Sequence, residues 1–260
     1  MELHNFKKQF GQNFLKTDEY AKILIESANL KPDDYVIEIG AGEGIVTKEI
    51  AKVAGKVYAL DIDTELIGAL KNRFKTDTNV IIKNQDILTW DFLTEIGKHS
   101  YKVISSLPYN VAKKILKIFL TSINPPQKIS VIIQKEVADN YLAKPSKATF
   151  LANFANIYAD MEFVKLIGSD AFFPEPKVES AIITFTPHKP SSSKPKELIS
   201  FIKSGFANPR KMLANNLANF LHLNKEEIHA VMQELGIEIL ARPENLSLKN
   251  WQDLFSKFRP

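Results

Sequence analysis

The chain has 260 residues, 45% of them hydrophobic, which suffices for one large domain or a large and a small one, and its net charge of +4 permits a polyanionic partner. It contains no cysteine, which excludes a disulfide framework, a cysteine-based zinc site and a thiol nucleophile. The start, MELHNFKKQF, has no apolar signal-peptide core, and no run reaches about 18 apolar residues, so we expect a cytoplasmic protein without a membrane span.

The first half of the chain alternates between strand and helix patterns. Residues 18–30 have helical spacing, and YVIEI then reads as a buried strand that leads into the glycine turn GAGEG. The helical stretch IVTKEIAKVA and a second strand, KVYALD, follow, and further apolar runs lie at residues 79–86, 101–109 and 129–136. This alternation predicts an α/β fold with a parallel sheet that is covered on both faces.

The second half changes character after residue 187. Two β-rich runs, MEFVKLIG and ESAIITFTP, are close in sequence and predict a hairpin at the sheet edge. Residues 187–197, PHKPSSSKPKE, have a linker composition, and the remaining chain reads as helices. We therefore divide the chain into an α/β domain, residues 1–187, and a small all-helical domain, residues 188–260.

The glycine turn predicts a nucleoside-binding site. Gly40, Gly42 and Gly44 form GxGxG, in which glycines let the backbone approach a ligand and the next helix offers N–H groups. A dinucleotide fingerprint would be GxGxxG, so the third glycine falls one residue early. Asp61 ends the next strand, where a carboxylate can accept both hydroxyls of a ribose. The alternative is a tight turn with a solvent-facing acid.

Asp86 ends the third strand, again at the sheet edge where ligands bind in open α/β folds. Its carboxylate could accept from an adenine amine. A helix cap is an equally good interpretation of this residue without further context.

The stretch SSLPYN, residues 105–110, follows the fourth strand and is called the tyrosine turn below. Pro108 restricts Leu107 to extended conformations and removes an N–H, which leaves carbonyl groups free for a ligand. Ser106 adds an acceptor and Tyr109 a flat face, a combination that suits the exocyclic amine of a purine. Acceptors around that amine favour its attack without a covalent enzyme intermediate. Tyr109 could instead be a core or hairpin aromatic.

In this order, the motifs resemble those of S-adenosylmethionine-dependent adenine methyltransferases. The match to the ribosomal RNA adenine N6,N6-dimethyltransferase family extends over nearly the whole chain. It is carried by KKQFGQNFL, IIQKEVADNYLA, SKATF, FFPEPKVES, GFANPRKMLANNL and ARPENLSLKNWQDL. FFPEPKVES is highly specific, and several motifs in one order are much stronger than any one of them.

The resemblance implies a Rossmann-like class I methyltransferase domain with a mostly parallel seven-stranded sheet, followed by a helical domain that binds RNA or the ribosome. It implies dimethylation of two adjacent adenosines near the 3′ end of small-subunit rRNA, which contributes to ribosome biogenesis. The cofactor is S-adenosylmethionine without a metal, the partner is the small ribosomal subunit, and a monomer is expected. Two alternatives remain: a large-subunit enzyme of the macrolide-resistance type, and a weakly catalytic ribosome-assembly or nucleic-acid-binding factor. SKATF and NPRKMLANNL look more like the small-subunit branch.

The family's roles carry over to matching positions. Those expected to bind the cofactor are Gln12, Asn13, Leu15, Gly40, Gly42, Asp61, Asp86 and Ser106. Those expected at the reacting amine are Ser106, Leu107, Pro108 and Tyr109, with Phe172 stacked on the opposite face of the base. The family usually has Glu where this chain has Asp61, and Asn where it has Ser106. The serine favours the weakly catalytic alternative, whereas the intact cofactor residues argue against it.

Basic residues near these motifs are candidates for RNA binding, although each one alone is more often a solvated surface charge. Lys113, Lys114 and Lys117 follow the tyrosine turn and share a helix face. Further candidates are Lys135, Lys144, Lys147, Lys177, Arg210 and Lys211. The five histidines are scattered and form no metal-binding pattern.

Overall fold

The computed structural model describes residues 13–258. The strands are β1 (Phe14–Leu15), β2 (Tyr35–Ile39), β3 (Lys56–Asp61), β4 (Val80–Asn84), β5 (Tyr101–Ser106), β6 (Lys128–Gln134), β7 (Ala159–Ile167), β8 (Phe172–Phe173) and β9 (Ser180–Pro187). The helices are α1 (Glu19–Ser27), α2 (Ile45–Ala51), α3 (Thr64–Arg73), α4 (Phe92–Ile96), α5 (Ala112–Leu120), α6 (Lys135–Leu142), α7 (Phe150–Asn156), α8 (Pro195–Gly205), α9 (Leu213–Leu221), α10 (Lys225–Glu234) and α11 (Leu248–Phe258). None of the helices in this described range is both long and apolar enough to span a bilayer.

Seven strands form one sheet in the order β4-β3-β2-β5-β6-β9-β7. The pairs from β4 to β6 are parallel, and β9 joins β6 in antiparallel orientation. The predicted mostly parallel α/β sheet is confirmed. The two late β-rich runs are neighbours in the sheet, with β7 at the edge, while the short β8 pairs with β1 instead.

The sheet contains a reversal of strand order that defines where a ligand can bind. From β2 the chain builds outward through β3 and β4, and then returns to place β5 on the other side of β2. The loops after β2 and β5 therefore diverge to opposite sides and leave a crevice at the carboxyl ends of these strands. Val36, Ile37, Val57 and Val103 are fully buried, which explains why these strands read as continuous apolar runs.

The structure divides into two compact units, of which the first ends at Ala138 and resumes over Glu162–Pro187. The second consists of Asp139–Met161 and the chain from His188 onward. The sequence pattern places residues 139–161 in the first domain, whereas in the structure they group with the later helices. The backbone N–H of Ala148 donates to Glu244 at 3.0 Å, and that of Ser191 donates to Ile157 at 2.9 Å. Contacts between such distant segments leave no pattern in the local sequence.

The second unit has an aromatic core of its own. The ring of Phe201 lies 6.1 Å from that of Trp251 and 5.7 Å from that of Phe255. Leu213 and Leu217, two members of an apolar stripe on α9, are fully buried. The helices after the linker therefore do not depend on the sheet for an apolar core.

Candidate active site

A cavity opens at the carboxyl ends of β2, β3, β4 and β5, within the first unit. Four segments at these strand ends contribute most of its lining: residues 38–46, 60–62, 85–88 and 106–111. Asn13, Phe14 and Leu15 line it from the amino-terminal side. Motifs that are spread over some hundred residues of sequence thus meet at one sheet edge, as the parallel strand pattern requires.

The turn after β2 has a conformation that favours glycine. Gly40, Gly42 and Gly44 have φ values of +71°, +57° and +81°, in the left-handed region. A Cβ on Gly42 would lie 2.7 Å from the ring of Phe14, so this position also lacks room for a side chain. The N–H groups of Gly40 and Ala41 both donate to the Leu60 carbonyl, at 2.8 and 2.9 Å. Those two N–H groups support the turn and are not available to an anion.

Asp61 lies at the end of β3, is buried and lines the cavity. Its two carboxylate oxygens accept the backbone N–H groups of Gly42 and Asp63, each at 2.9 Å. Burial raises the pKa of this carboxyl group, and the two N–H donors oppose that shift. Each oxygen keeps a lone-pair site, so the carboxylate can still accept hydrogen bonds from a ligand.

Asp86 lines the cavity and also caps the turn that follows β4. Its Oδ1 accepts the N–H of Leu88 at 2.9 Å within that turn, whereas the next helix, α4, is capped by Asp91, so the helix-cap interpretation of Asp86 is wrong. Ile62 and Leu88 are 46% and 39% exposed, although both are apolar, and both line the cavity. The sequence analysis did not select them, since an apolar residue beside a strand end gives no signal of exposure.

Glu38 is a second residue that the sequence analysis missed. It is almost fully buried within β2, lines the cavity, and accepts a hydrogen bond from the Thr47 hydroxyl at 2.6 Å. Burial raises its pKa from 4.5 to about 8, with a further contribution from the nearby Asp61 charge. A carboxylate inside the apolar run VIEIG, two residues before Gly40, was the available signal.

The tyrosine turn follows β5 directly. The N–H of Leu107 donates to Ile132 of β6 at 3.0 Å, which extends the pairing of β5 past Ser106. The Pro108 carbonyl accepts from Val111 and Ala112 at 3.2 and 3.1 Å, so this carbonyl begins α5 and is not free for a ligand. Leu107 is buried.

Two residues of the turn with polar side chains line the cavity. Ser106 is half-buried and lines it, and no hydrogen bond of its hydroxyl is present in the described part of the chain. Tyr109 also lines it, and its hydroxyl is hydrogen-bonded to that of Ser180 at 2.6 Å. Burial raises the pKa of the Tyr109 phenol, so it stays protonated near neutral pH. The ring therefore lies at the cavity and is held at its far end.

Only some of the remaining predicted site residues line the cavity. Gln12 lies outside the described residues, while Asn13 and Leu15 line the cavity. Phe172 is buried in the apolar core and pairs with Leu15 between β8 and β1, and it is not among the residues that line the cavity. Its neighbour Phe173 is 48% exposed. The structure therefore brings the described residues predicted to bind a cofactor together with the tyrosine turn but does not add Phe172 to them.

Basic side chains lie next to this cavity. Lys113, Lys114 and Lys117 are exposed on α5, the helix that begins directly after the tyrosine turn. Val111 and Ile115, at the start of the same helix, line the cavity. The three charges therefore lie on a helix whose first residues border the cavity.

Comparison with known proteins gives matches over almost the full length. A family model described as "Ribosomal RNA adenine dimethylase" matches residues 3–259. A protein named "Ribosomal RNA small subunit methyltransferase A" from Dehalococcoides mccartyi is 34% identical over 252 residues, which cover 95% of this chain and 87% of that protein. A protein of the same name from Acaryochloris marina is 31% identical, with 98% and 97% covered.

Two solved structures share the fold. The 23S rRNA methyltransferase ErmE superimposes with a TM-score of 0.78 at 23% identity, with 95% of this chain and 100% of that one covered. A dimethyladenosine transferase from Plasmodium falciparum gives a TM-score of 0.79 at 22% identity, with 94% and 98% covered. At these identities the superpositions concern the fold alone.

Proposed function

The chain belongs to the ribosomal RNA adenine dimethylase family, and we propose that it dimethylates the N6 amines of two adjacent adenosines near the 3′ end of small-subunit rRNA. The observation that carries the proposal is the single cavity region that joins the glycine turn, Asp61, Asp86 and the tyrosine turn. The full-length relatives, 31% and 34% identical and named for the small subunit, favour this branch over the large-subunit alternative. The likeness to ErmE supports the fold only.

S-adenosylmethionine suits the acceptors that line the cavity. Asp61 and Asp86 supply carboxylates, which match a ligand with positive charge, ribose hydroxyls and an adenine amine, while the raised pKa of Glu38 keeps its carboxyl group protonated near neutral pH. Ile62 and Leu88 offer apolar surface beside those carboxylates for a flat ring. When bound, this cofactor supplies a methyl group activated on a positively charged sulfur.

We assign the parts of the cofactor to residues by their chemistry and position. Asp61 would hold the ribose, Asp86 the adenine amine, and Gly40 and Gly42 would permit close approach of the backbone. Asn13, Leu15 and, outside the described residues, Gln12 would hold the methionine part.

The protein's contribution to catalysis is mainly orientation. The Ser106 hydroxyl can accept a hydrogen of the adenine amine, which directs the nitrogen lone pair away from the ring. The Tyr109 ring offers a face for the base, which must leave its stack or lie in a loop to reach it. Stacking on such a ring contributes about 1–3 kcal/mol per base. Phe172 is the residue proposed for the other face of the base, although in this structure it is buried and does not line the cavity.

The second unit supplies the RNA- or ribosome-binding role in this proposal. Arg210 and Lys211 are exposed before α9. Lys211 and Lys225 line a polar depression together with Asn208, Asn215 and Asn219, side chains that suit phosphate and sugar groups. We also propose that the protein acts in the cytoplasm, as a monomer in solution.

The proposal is tested with small ribosomal subunits that lack the modification. We expect labelled methyl groups to move from S-adenosylmethionine to these subunits and to be absent from subunits already methylated. Primer extension should then stop at two adjacent adenosines near the 3′ end. Transfer to naked large-subunit rRNA with none to the small subunit would overturn the branch. Failure to bind the cofactor at all would instead favour a ribosome-assembly factor.

A further inference from the structure

A hydrogen bond connects the tyrosine turn to a distant strand. The hydroxyl oxygens of Tyr109 and Ser180 lie 2.6 Å apart, although the residues are 71 positions apart in sequence. Tyr109 follows β5, while Ser180 is the first residue of β9. Ser180 is not among the predicted cofactor residues and does not line the cavity.

Ser180 is held rigidly by the sheet. It is fully buried, and it pairs with Gln134 in the antiparallel ladder between β9 and β6. The N–H of Lys135 donates to the Glu179 carbonyl at 3.0 Å, so the ladder continues beyond this pair. Strand β6 is in turn paired with β5, where Ser106 lies opposite Ile132. The Ser180 hydroxyl therefore has a fixed position relative to the end of β5.

Tyr109 has less support of its own. It lies in a turn, is half-buried and lines the cavity with its aromatic side chain. A tyrosine ring has two rotatable bonds, and a hydrogen bond at its far end limits both of them. A ring face that accepts a base works best when it is already oriented, because positioning beforehand avoids an entropic cost in the reactive complex.

We propose that Ser180 is a positioning residue for methyl transfer, whose hydroxyl holds the Tyr109 ring in the orientation on which the target base stacks. The proposal rests on the function proposed above, since it names the residue that prepares that site. Ser180 does not line the cavity, so it would act on the base only through Tyr109. A purely structural serine would satisfy a buried phenol and leave turnover unchanged once the protein is folded.

Four variants test this role: Ser180→Ala, Tyr109→Phe, the double variant, and Thr184→Val as the matched control. Thr184 is also a buried hydroxyl on β9, but its oxygen has no hydrogen-bond partner within the described residues. We expect kcat on small subunits to fall about 3- to 10-fold for Ser180→Ala and for Tyr109→Phe, the effect of one lost hydrogen bond. The double variant should lose no more than Tyr109→Phe alone, and the KM for S-adenosylmethionine should stay the same.

Three kinetic outcomes would overturn the proposal. In the first, Ser180→Ala keeps kcat within about twofold of the unmodified protein or of Thr184→Val. In the second, the losses of the two single variants multiply in the double variant, which would mean that they act separately. A rise in the KM for the cofactor as large as the fall in kcat would point to a general structural role and would also count against it.

A spectroscopic measurement does not depend on catalysis. In protein with carbon-13 in its tyrosine rings, the Tyr109 signal is identified by its disappearance in Tyr109→Phe. Ser180→Ala should shift or broaden that signal, and Thr184→Val should leave it unchanged. An unaltered Tyr109 signal in Ser180→Ala overturns the proposal. If the unmodified protein transfers no methyl group, the proposed function fails, and this spectrum still decides whether Ser180 orients the ring.

Discussion

The Asp61 carboxylate accepts the backbone N–H of Gly42 at 2.9 Å, so the candidate ribose ligand on β3 also supports the glycine turn after β2. The two cofactor motifs are therefore one structural unit. A substitution at Asp61 should affect both ligand binding and the turn.

Asp61→Ala should raise the Kd for S-adenosylmethionine about 10- to 150-fold, because hydrogen bonds to a charged group contribute about 1.5–3 kcal/mol. It should also lower the free energy of unfolding, since the N–H groups of Gly42 and Asp63 lose their acceptor. Titration calorimetry and thermal unfolding measure the two effects. The control is Asp63→Ala, which removes the cap that accepts the Glu65 N–H but lies outside the cavity lining. Equal loss of affinity in both variants would argue against the ribose role.

The role of the Ser106 hydroxyl is tested by two substitutions, one that removes the hydrogen-bond acceptor and one that replaces it by an amide. Ser106→Ala removes the acceptor and should lower kcat about 2- to 10-fold, the range for one neutral hydrogen bond. Ser106→Asn restores the amide usual in the family and should stay within about threefold of the native rate, because both side chains present an oxygen acceptor. Single-turnover methylation of small subunits measures both. A much larger gain in kcat for Ser106→Asn would mean that the native serine limits methyl transfer.

Glu38 should make the protein less stable as the pH rises. Its pKa is raised to about 8 in the folded chain from an ordinary 4.5, so between these values the folded state holds a proton that the unfolded state has lost. The free energy of unfolding therefore falls with increasing pH in this window, by at most about 1.4 kcal/mol per pH unit from this group. Glu38→Gln should remove that part of the slope in denaturant titrations from pH 5 to pH 9.

Thr47→Val is the companion to this measurement. The Thr47 hydroxyl donates to Glu38 and lowers its pKa, which opposes the effect of burial. Its removal should extend the pH-dependent loss of stability to higher pH. A pH slope that is identical in the native protein and in Glu38→Gln would contradict the assignment.

We expect Phe172 to contribute mainly to the packing of the apolar core. Phe172→Ala should lower the free energy of unfolding by about 3–5 kcal/mol, because it empties a buried site beside Leu15. Phe173→Ala, at the half-exposed neighbouring position, should cost much less. Phe172→Leu separates packing from stacking, since it keeps most of the apolar volume without an aromatic face. Turnover that is unaffected in Phe172→Leu would argue against stacking on the base.

The part of the candidate site that depends on local patterns could be predicted from the sequence. Glycines at a strand end, Asp61 at the end of the next strand and the tyrosine turn after β5 could each be recognised within a few residues. Their convergence followed because the carboxyl ends of parallel strands meet at one edge of the sheet. Asp86 shows the limit of this reasoning, since a helix cap and a cavity position could be told apart only in three dimensions, where Asp86 lines the cavity and caps a turn while Asp91 caps the helix.

Only the tertiary structure decided which distant residues meet. The Tyr109–Ser180 hydrogen bond joins two strands that are paired through β6, and the burial of Phe172 depends on pairing between β8 and β1. Residues 139–161 likewise group with the later helices through bonds such as that from Ala148 to Glu244. These contacts form between segments far apart in the chain, where neither periodicity nor spacing records which partner a side chain will find. The local motifs therefore indicated the proposed chemistry. The tertiary contacts then identified the residues that we propose orient the reacting groups.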